Sequence, residues 1–168
     1  MDITKSSRHQ KIIGNFGENL VCNWLSRSGF EVALVDHTGI DVVAYDRATK
    51  KRLGVTVKSR TRSVGKEDVS VTILRGNDRE ELERACESFG CDPWIAVYVE
   101  TCSFADLYLT SLENYDKKYR GKEGTTTDSW KMKKTHTDRY DADPNVMHIR
   151  IEFRPTYWWE QEIPGVAD

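Results

Sequence analysis

Apolar residues recur at Ile13, Phe16, Leu20, Val21, Trp24 and Leu25, the spacing of one helical face, and predict a helix over residues 10–28. Gly29 stands where a helix stop belongs. Three short strand-like runs follow at 31–35, 40–45 and 53–58. Between them lie the turn-forming Asp36-His37-Thr38-Gly39 and a charged loop over 46–52. After a polar loop, Val69 to Leu74 predicts another strand. Residues 77–89 form a second helical pattern, with Leu82, Ala85, Cys86 and Phe89 on one face and Gly90 as its stop. Trp94 to Val99 is an unbroken apolar run of strand length, the pattern of a fully buried strand, and 106–109 predicts one more. Residues 116–145 are polar and rich in glycine, threonine and lysine, and are expected to be a long excursion. Met147, Ile149, Ile151 and Phe153 then alternate with His148, Arg150, Glu152 and Arg154, a half-buried strand. The expected fold is α/β: a mixed sheet flanked by helices on an α-β-β-β-α-β core. The expected unit is one domain, with a core at about 10–110 and a C-terminal extension over 111–168.

Composition narrows the class. The chain has 168 residues, 38% hydrophobic and 31% charged, enough apolar material for one buried core. No apolar run approaches the length of a membrane-spanning helix, so no membrane is expected. The polar start, MDITKSSRHQK, lacks the apolar stretch of a secretory signal, and a cytoplasmic location is expected. Cys22, Cys86, Cys91 and Cys102 form no C-x-x-C pair and no zinc spacing with histidine, and are expected to be reduced. A net charge of -2 does not advertise nucleic-acid binding. The basic residues are nonetheless clustered, at 58–62, 117–122 and 131–134, while acids gather around Glu80 to Glu87. Such runs form either a locally basic face or ordinary solvated surface.

The informative stretch is GIDVVAYDRATKKRLGVTVKSRTR, residues 39–62. Side chains in a strand alternate, so Thr56 and Lys58 share one face of the third strand. Asp41 opens the neighbouring strand, where register can bring its carboxylate beside them. A carboxylate and a lysine on adjacent strand ends suit phosphodiester chemistry. The carboxylate holds a hard divalent cation through oxygen, and the cation acidifies a water and offsets transition-state charge. The lysine adds a fixed positive charge near the phosphate. Other constellations are poorer. His37 is close to Asp41, but no serine or cysteine elbow supports it. His9, His136 and His148 are scattered, and neither a Walker loop nor a dinucleotide fingerprint appears. Trp158-Trp159 is expected to be a packing anchor rather than a base-stacking platform.

These residues resemble the PD-(D/E)XK nucleases of the restriction-endonuclease superfamily. Ile40-Asp41 is similar to the first half of that motif and Thr56-Val57-Lys58 to the second. The first helix, GNFGENLVCNWLSRSGFEV, resembles the opening helix of Holliday-junction resolvases and of restriction enzymes that act on modified DNA. The resemblance spans about residues 12–62. It implies a DNA endonuclease using Mg²⁺ or Mn²⁺, with catalytic Asp41, Lys58, Glu18 and Thr56, and with metal ligands from Asp41, Glu18 and the Val57 carbonyl. It also implies DNA as partner and raises the expectation of a homodimer. Arg60 and Arg62 are expected to bind nucleic acid. Thr56 departs from the pattern, because a neutral hydroxyl stands where the family has an acid. Asp36 or Glu67 could supply a migrated acid. Plain readings stand beside these: Asp41 as a turn cap, Lys58 as a strand-end lysine, Glu18 as a solvated helix residue, and the arginines as a polar edge. The alternative function is a nuclease-fold module that binds nucleic acid, or serves as scaffold, without cutting.

Overall fold

The computed structural model describes residues 5–121 and 127–153. Its elements run α1 (His9–Arg27), β1 (Phe30–His37), β2 (Ile40–Asp46), β3 (Arg52–Thr61), β4 (Val71–Arg75), α2 (Asp78–Phe89), β5 (Asp92–Glu100), β6 (Phe104–Ser111), α3 (Leu112–Lys118), β7 (Thr127–Trp130), α4 (Lys134–Asp141) and β8 (Val146–Glu152). Six strands form one sheet in the order β1-β2-β3-β5-β6-β8. Only β3 and β5 run parallel, joined through α2; their neighbours are antiparallel. This is the mixed sheet that the alternating elements predict.

Each face of the sheet has its own apolar layer. Ile13, Val21 and Leu25 of α1 pack on Val42, Ala44, Leu53, Val55, Ala96 and Tyr98. Leu82, Ala85 and Cys86 of α2 pack on Ile40, Ile95, Val97 and Val99 across the sheet. The central β5 is therefore buried on both faces, which explains its continuous apolar run. α2 ends at Gly90, whose φ of 61° is the left-handed cap that glycine adopts without strain. Phe89, expected on the buried face of that helix, is instead 46% exposed and meets His37 edge-on.

Three expectations change. The turn before β2 is shorter than Asp36 to Gly39, because β1 continues through a register break between Leu34 and His37. β3 does not stop at Lys58 but runs to Thr61, held by parallel pairing as far as Thr61 with Glu100. The stretch 116–145 is not a bare excursion. It carries β7 and α4, and β7 pairs with β4 in a second, two-stranded sheet. Its few large apolar residues, Trp130, Met132 and Tyr140, are too widely spaced to show a period. They close a cluster on Tyr108 and Tyr115 that no local pattern reports. Lys122, Arg154 and the pair Trp158-Trp159 lie outside the described residues. No helix among the described residues is long and apolar enough to cross a membrane.

Candidate active site

β2 and β3 part company at the start of β2. Their paired register ends at Val42 with Val55, while β3 continues for six more residues beside β5 alone. From Thr56 onward, one edge of β3 therefore has no strand partner. Asp41 sits at this fork. Its Oδ2 accepts the Val57 backbone N–H at 2.6 Å and a longer contact from the Thr56 hydroxyl at 3.4 Å. The carboxylate thus occupies the place of the missing ladder acceptor. A strand residue directs its N–H and C=O to the same side, so the Val57 carbonyl also faces the open edge.

Side-chain alternation then divides β3. Val55 and Val57 belong to the α1 layer, and Ser59 meets α1 at Gly17, where an added Cβ would stand 2.2 Å from the Ser59 hydroxyl. Thr56, Lys58 and Arg60 consequently point to the other face. The shared face expected for Thr56 and Lys58 is present. Thr56 is 4% exposed, and its hydroxyl lies toward Asp41. Lys58 is half-buried and has no carboxylate within salt-bridge distance among the described residues.

Glu18, on α1, lies near enough to the fork for the charge of Asp41 to act on it. Burial pushes its carboxyl above the ordinary value, and the charges of Asp41 and Asp36 push it further. Asp36 comes from the irregular end of β1, where a register break re-aims the chain. Of the two acids considered as replacements for the family's second acid, Asp36 is the one whose charge reaches Glu18. Glu67 accepts the Gly65 N–H within its own loop. Alternation could place Thr56 beside Lys58, but the sequence offered Asp36 only as one of two alternatives to Thr56, because the register break beside it is a tertiary feature.

The two arginines separate. Arg62 donates to the Val69 and Ser70 carbonyls at 3.1 and 2.9 Å, fastening the loop that follows β3. Arg60 donates to the carbonyl of its neighbour Ser59 at 2.7 Å and meets no carboxylate within salt-bridge distance among the described residues. A cleft of about 480 Å³ lined by Lys51, Leu53, Trp94, Glu113 and Met147 lies at the other end of β3, away from Asp41.

The architecture is a mixed α/β sheet flanked by helices, a fold shared with a resolvase of solved structure. No family model matches the chain, and no curated protein matches it. Among solved structures it is similar to Hjc, a Holliday junction resolvase from the archaeal hyperthermophile Archaeoglobus fulgidus. That match has a TM-score of 0.52 and 15% identity, covering 70% of this chain and 83% of the resolvase. A bacterial homing endonuclease aligns with a TM-score of 0.45 and 17% identity, over 74% of this chain and 79% of its own.

Proposed function

We propose that this chain is a metal-dependent DNA endonuclease whose site is the fork between β2 and β3. The observation that carries the reading is the Asp41 carboxylate, set on the Val57 amide at the unpaired edge of β3 and within the field of Glu18. The resolvase-like fold supports DNA as the substrate class. The donor set suits a hard cation. It is all oxygen, from Asp41, Glu18 and the Val57 carbonyl, and the mutual repulsion of its carboxylates is what a cation relieves. Among the described residues no three His, Cys, Asp or Glu side chains form a cage. One or two carboxylates with water completing the shell is the habit of Mg²⁺, and Mn²⁺ accepts the same ligands.

A cation held there would acidify a water and offset the charge of the phosphorane-like transition state. The protein groups do the positioning. The Val57 N–H fixes one Asp41 oxygen, which leaves the other for the cation. Thr56 supports Asp41 as a hydroxyl donor in place of an acidic ligand. Lys58, on the same face, offers its ammonium to the phosphate or the attacking water, with no competing carboxylate among the described residues.

Thr56 also favours a second reading, a module that binds DNA without cutting it, since a neutral hydroxyl stands where the resembled family has an acid. The test is cleavage of plasmid, branched and single-stranded DNA in Mg²⁺ or Mn²⁺ against EDTA, for wild type, Asp41→Ala and Lys58→Ala. The nuclease reading expects metal-dependent cleavage that both substitutions abolish. Cleavage that survives both would place the chemistry elsewhere. DNA binding with no cleavage of any substrate would select the second reading.

A further inference from the structure

We propose that the cleft between the segment preceding α1 and the outer end of β3 binds a backbone phosphate of DNA and anchors the strand beside the reacting phosphate. The cleft holds about 310 Å³ and is lined by Lys5, Ser6, Ser7, His9, Arg60 and Thr61 among others. No acidic residue lines it. The inference rests on DNA being the ligand of the neighbouring fork, but not on cleavage there.

The open edge of β3 explains why cations gather here. With β2 gone, its carbonyls need donors, and two basic side chains provide them. Arg60 caps the Ser59 carbonyl at 2.7 Å and Lys5 caps the Thr61 carbonyl at 3.0 Å. Each cap uses one donor. A lysine ammonium has three and a guanidinium five, so most of their donors remain for another acceptor. Neither cation has a carboxylate within salt-bridge distance among the described residues. The nearby acid, Glu100, is already engaged. Its Oε1 accepts from Thr61 at 2.8 Å and meets His9 at 3.3 Å, and its Oε2 accepts from Tyr98 at 3.2 Å. Burial lowers the pKa of Arg62, and the charge of Arg60 lowers it further, a repulsion that a bound anion would relieve.

Position identifies the anion. Arg60 lies two residues beyond Lys58 on the same strand face, about 6.6 Å along the strand. A ligand that enters the fork at Lys58 and continues along the open edge meets Arg60 and then Lys5. A polynucleotide backbone carries regularly repeated phosphates along such a path, and phosphate contacts of this kind fix register without reading sequence. Two hydroxyls, Ser6 and Ser7, complete a lining suited to phosphate oxygens.

The test is fluorescence anisotropy of labelled duplex and branched DNA, in Ca²⁺, across a salt series with the full chain. Lys5→Ala and Arg60→Ala should each weaken binding severalfold. The double variant should lower the slope of log affinity against log salt by about one, because both cations serve one phosphate. Lys134→Ala, whose lysine pairs with Asp138 on α4, should change neither quantity. If the chain cuts, the double variant should raise KM by a larger factor than it lowers kcat. NMR amide shifts at Ser6, Ser7 and Thr61 should appear with DNA and be reproduced by inorganic phosphate only at far higher concentration. An unchanged slope in the double variant, wild type that binds no DNA, or equal affinity for inorganic phosphate and DNA would each overturn the anchor. DNA binding with this signature but without cleavage would leave the anchor standing and remove the nuclease reading.

Discussion

On β6 and β8, the buried carboxylate of Asp106 is met by Arg150 at 2.8 and 2.9 Å and by His148 at 2.8 Å. Around α3, Arg79 bridges Asp116 and Asp128, and Arg120 joins Asp128 from the other side. Asp143 accepts from Lys118, Tyr119 and Asn114, which hold it well below the usual carboxylate range despite its burial. The half of the molecule built from α1, β1, β2 and β3 handles charge differently. At the fork the charges of Asp41 and Asp36 act on Glu18, while Lys5, Lys58 and Arg60 lack carboxylate partners among the described residues. One half satisfies its buried charges internally. At the fork the other leaves like charges together, an arrangement that a bound cation on one side and a bound phosphate on the other would relieve under the proposed function.

The contrast is broken most sharply by neutralising one carboxylate in each half. Asp41→Asn keeps an oxygen for the Val57 N–H but removes the charge. Cleavage should fall at least about 100-fold, as for the loss of one electrostatic group in an active site. The melting temperature should stay level or rise, because Glu18 loses a repelling neighbour. Asp106→Asn should do the reverse. It leaves Arg150 and His148 facing a neutral group and should cost about 2 kcal/mol, the range for hydrogen bonds to charged partners, tempered by the exposure of Arg150. Cleavage well below the melting temperature should be unchanged. Paired measurements of rate and thermal stability check both, and a destabilised but fully active Asp41→Asn would invert the comparison.

A smaller effect separates the halves by pH. Burial disfavours charged His148, but hydrogen bonds and charge from Asp106 and Asp141 outweigh it, and its pKa is raised. Arg150 and Tyr108 also face this group. A raised pKa means that the folded state binds the proton more tightly. That stability is fully present below the unfolded histidine pKa, near 6.5, and is lost as pH rises through the folded value. Asp106 carries the opposite sign: its pKa is lowered, so its contribution fades as pH falls through the folded value. Melting curves from pH 6 to 9 should show wild type losing on the order of 1 kcal/mol that His148→Gln never had. Parallel curves for the two proteins would remove this clamp between β6, β8 and α4.

The same division decides what could be read from the sequence. The α1–β3 half announces itself, because its helix period, its three strands and the spacing of Asp41, Thr56 and Lys58 are local. In the paired half the strands β6 and β8 show their patterns, but the charge pairs do not. Asp106 and His148 are 42 residues apart, and Arg79 and Asp128 are 49, so no spacing rule joins them. β7 and α4 were hidden for the same reason, since Trp130 and Tyr140 acquire meaning only when stacked at 4.0 Å beneath Tyr108. The fork itself was only half visible. Alternation places Lys58 with Thr56, but the unpaired edge that brings Lys5 beside Arg60 depends on where β2 stops pairing.

The smallest effect tests whether the strain of the site half can be removed without touching its chemistry. Gly17 lets α1 lie against β3, and an added Cβ would meet the Ser59 hydroxyl at 2.2 Å but the Ser59 and Tyr98 Cβ atoms only at an ordinary 3.5 Å. The obstacle is therefore one rotatable oxygen, which is buried without a hydrogen-bond partner among the described residues. Gly17→Ala alone forces that hydroxyl to turn and should be close to neutral. Ser59→Ala alone removes an unsatisfied polar atom and should cost little, with the Ser59 carbonyl still capped by Arg60. Together they replace a mid-helix glycine with alanine and should stabilise the fold by about 0.5–1 kcal/mol. The pair should be non-additive, since the residues touch. Glu18, Asp41 and Lys58 are unaltered, so cleavage should match wild type. A double variant less stable than wild type would mean that α1 depends on that hydroxyl; one that is more stable but slower would mean that the looseness of α1 is part of how Glu18 reaches the fork.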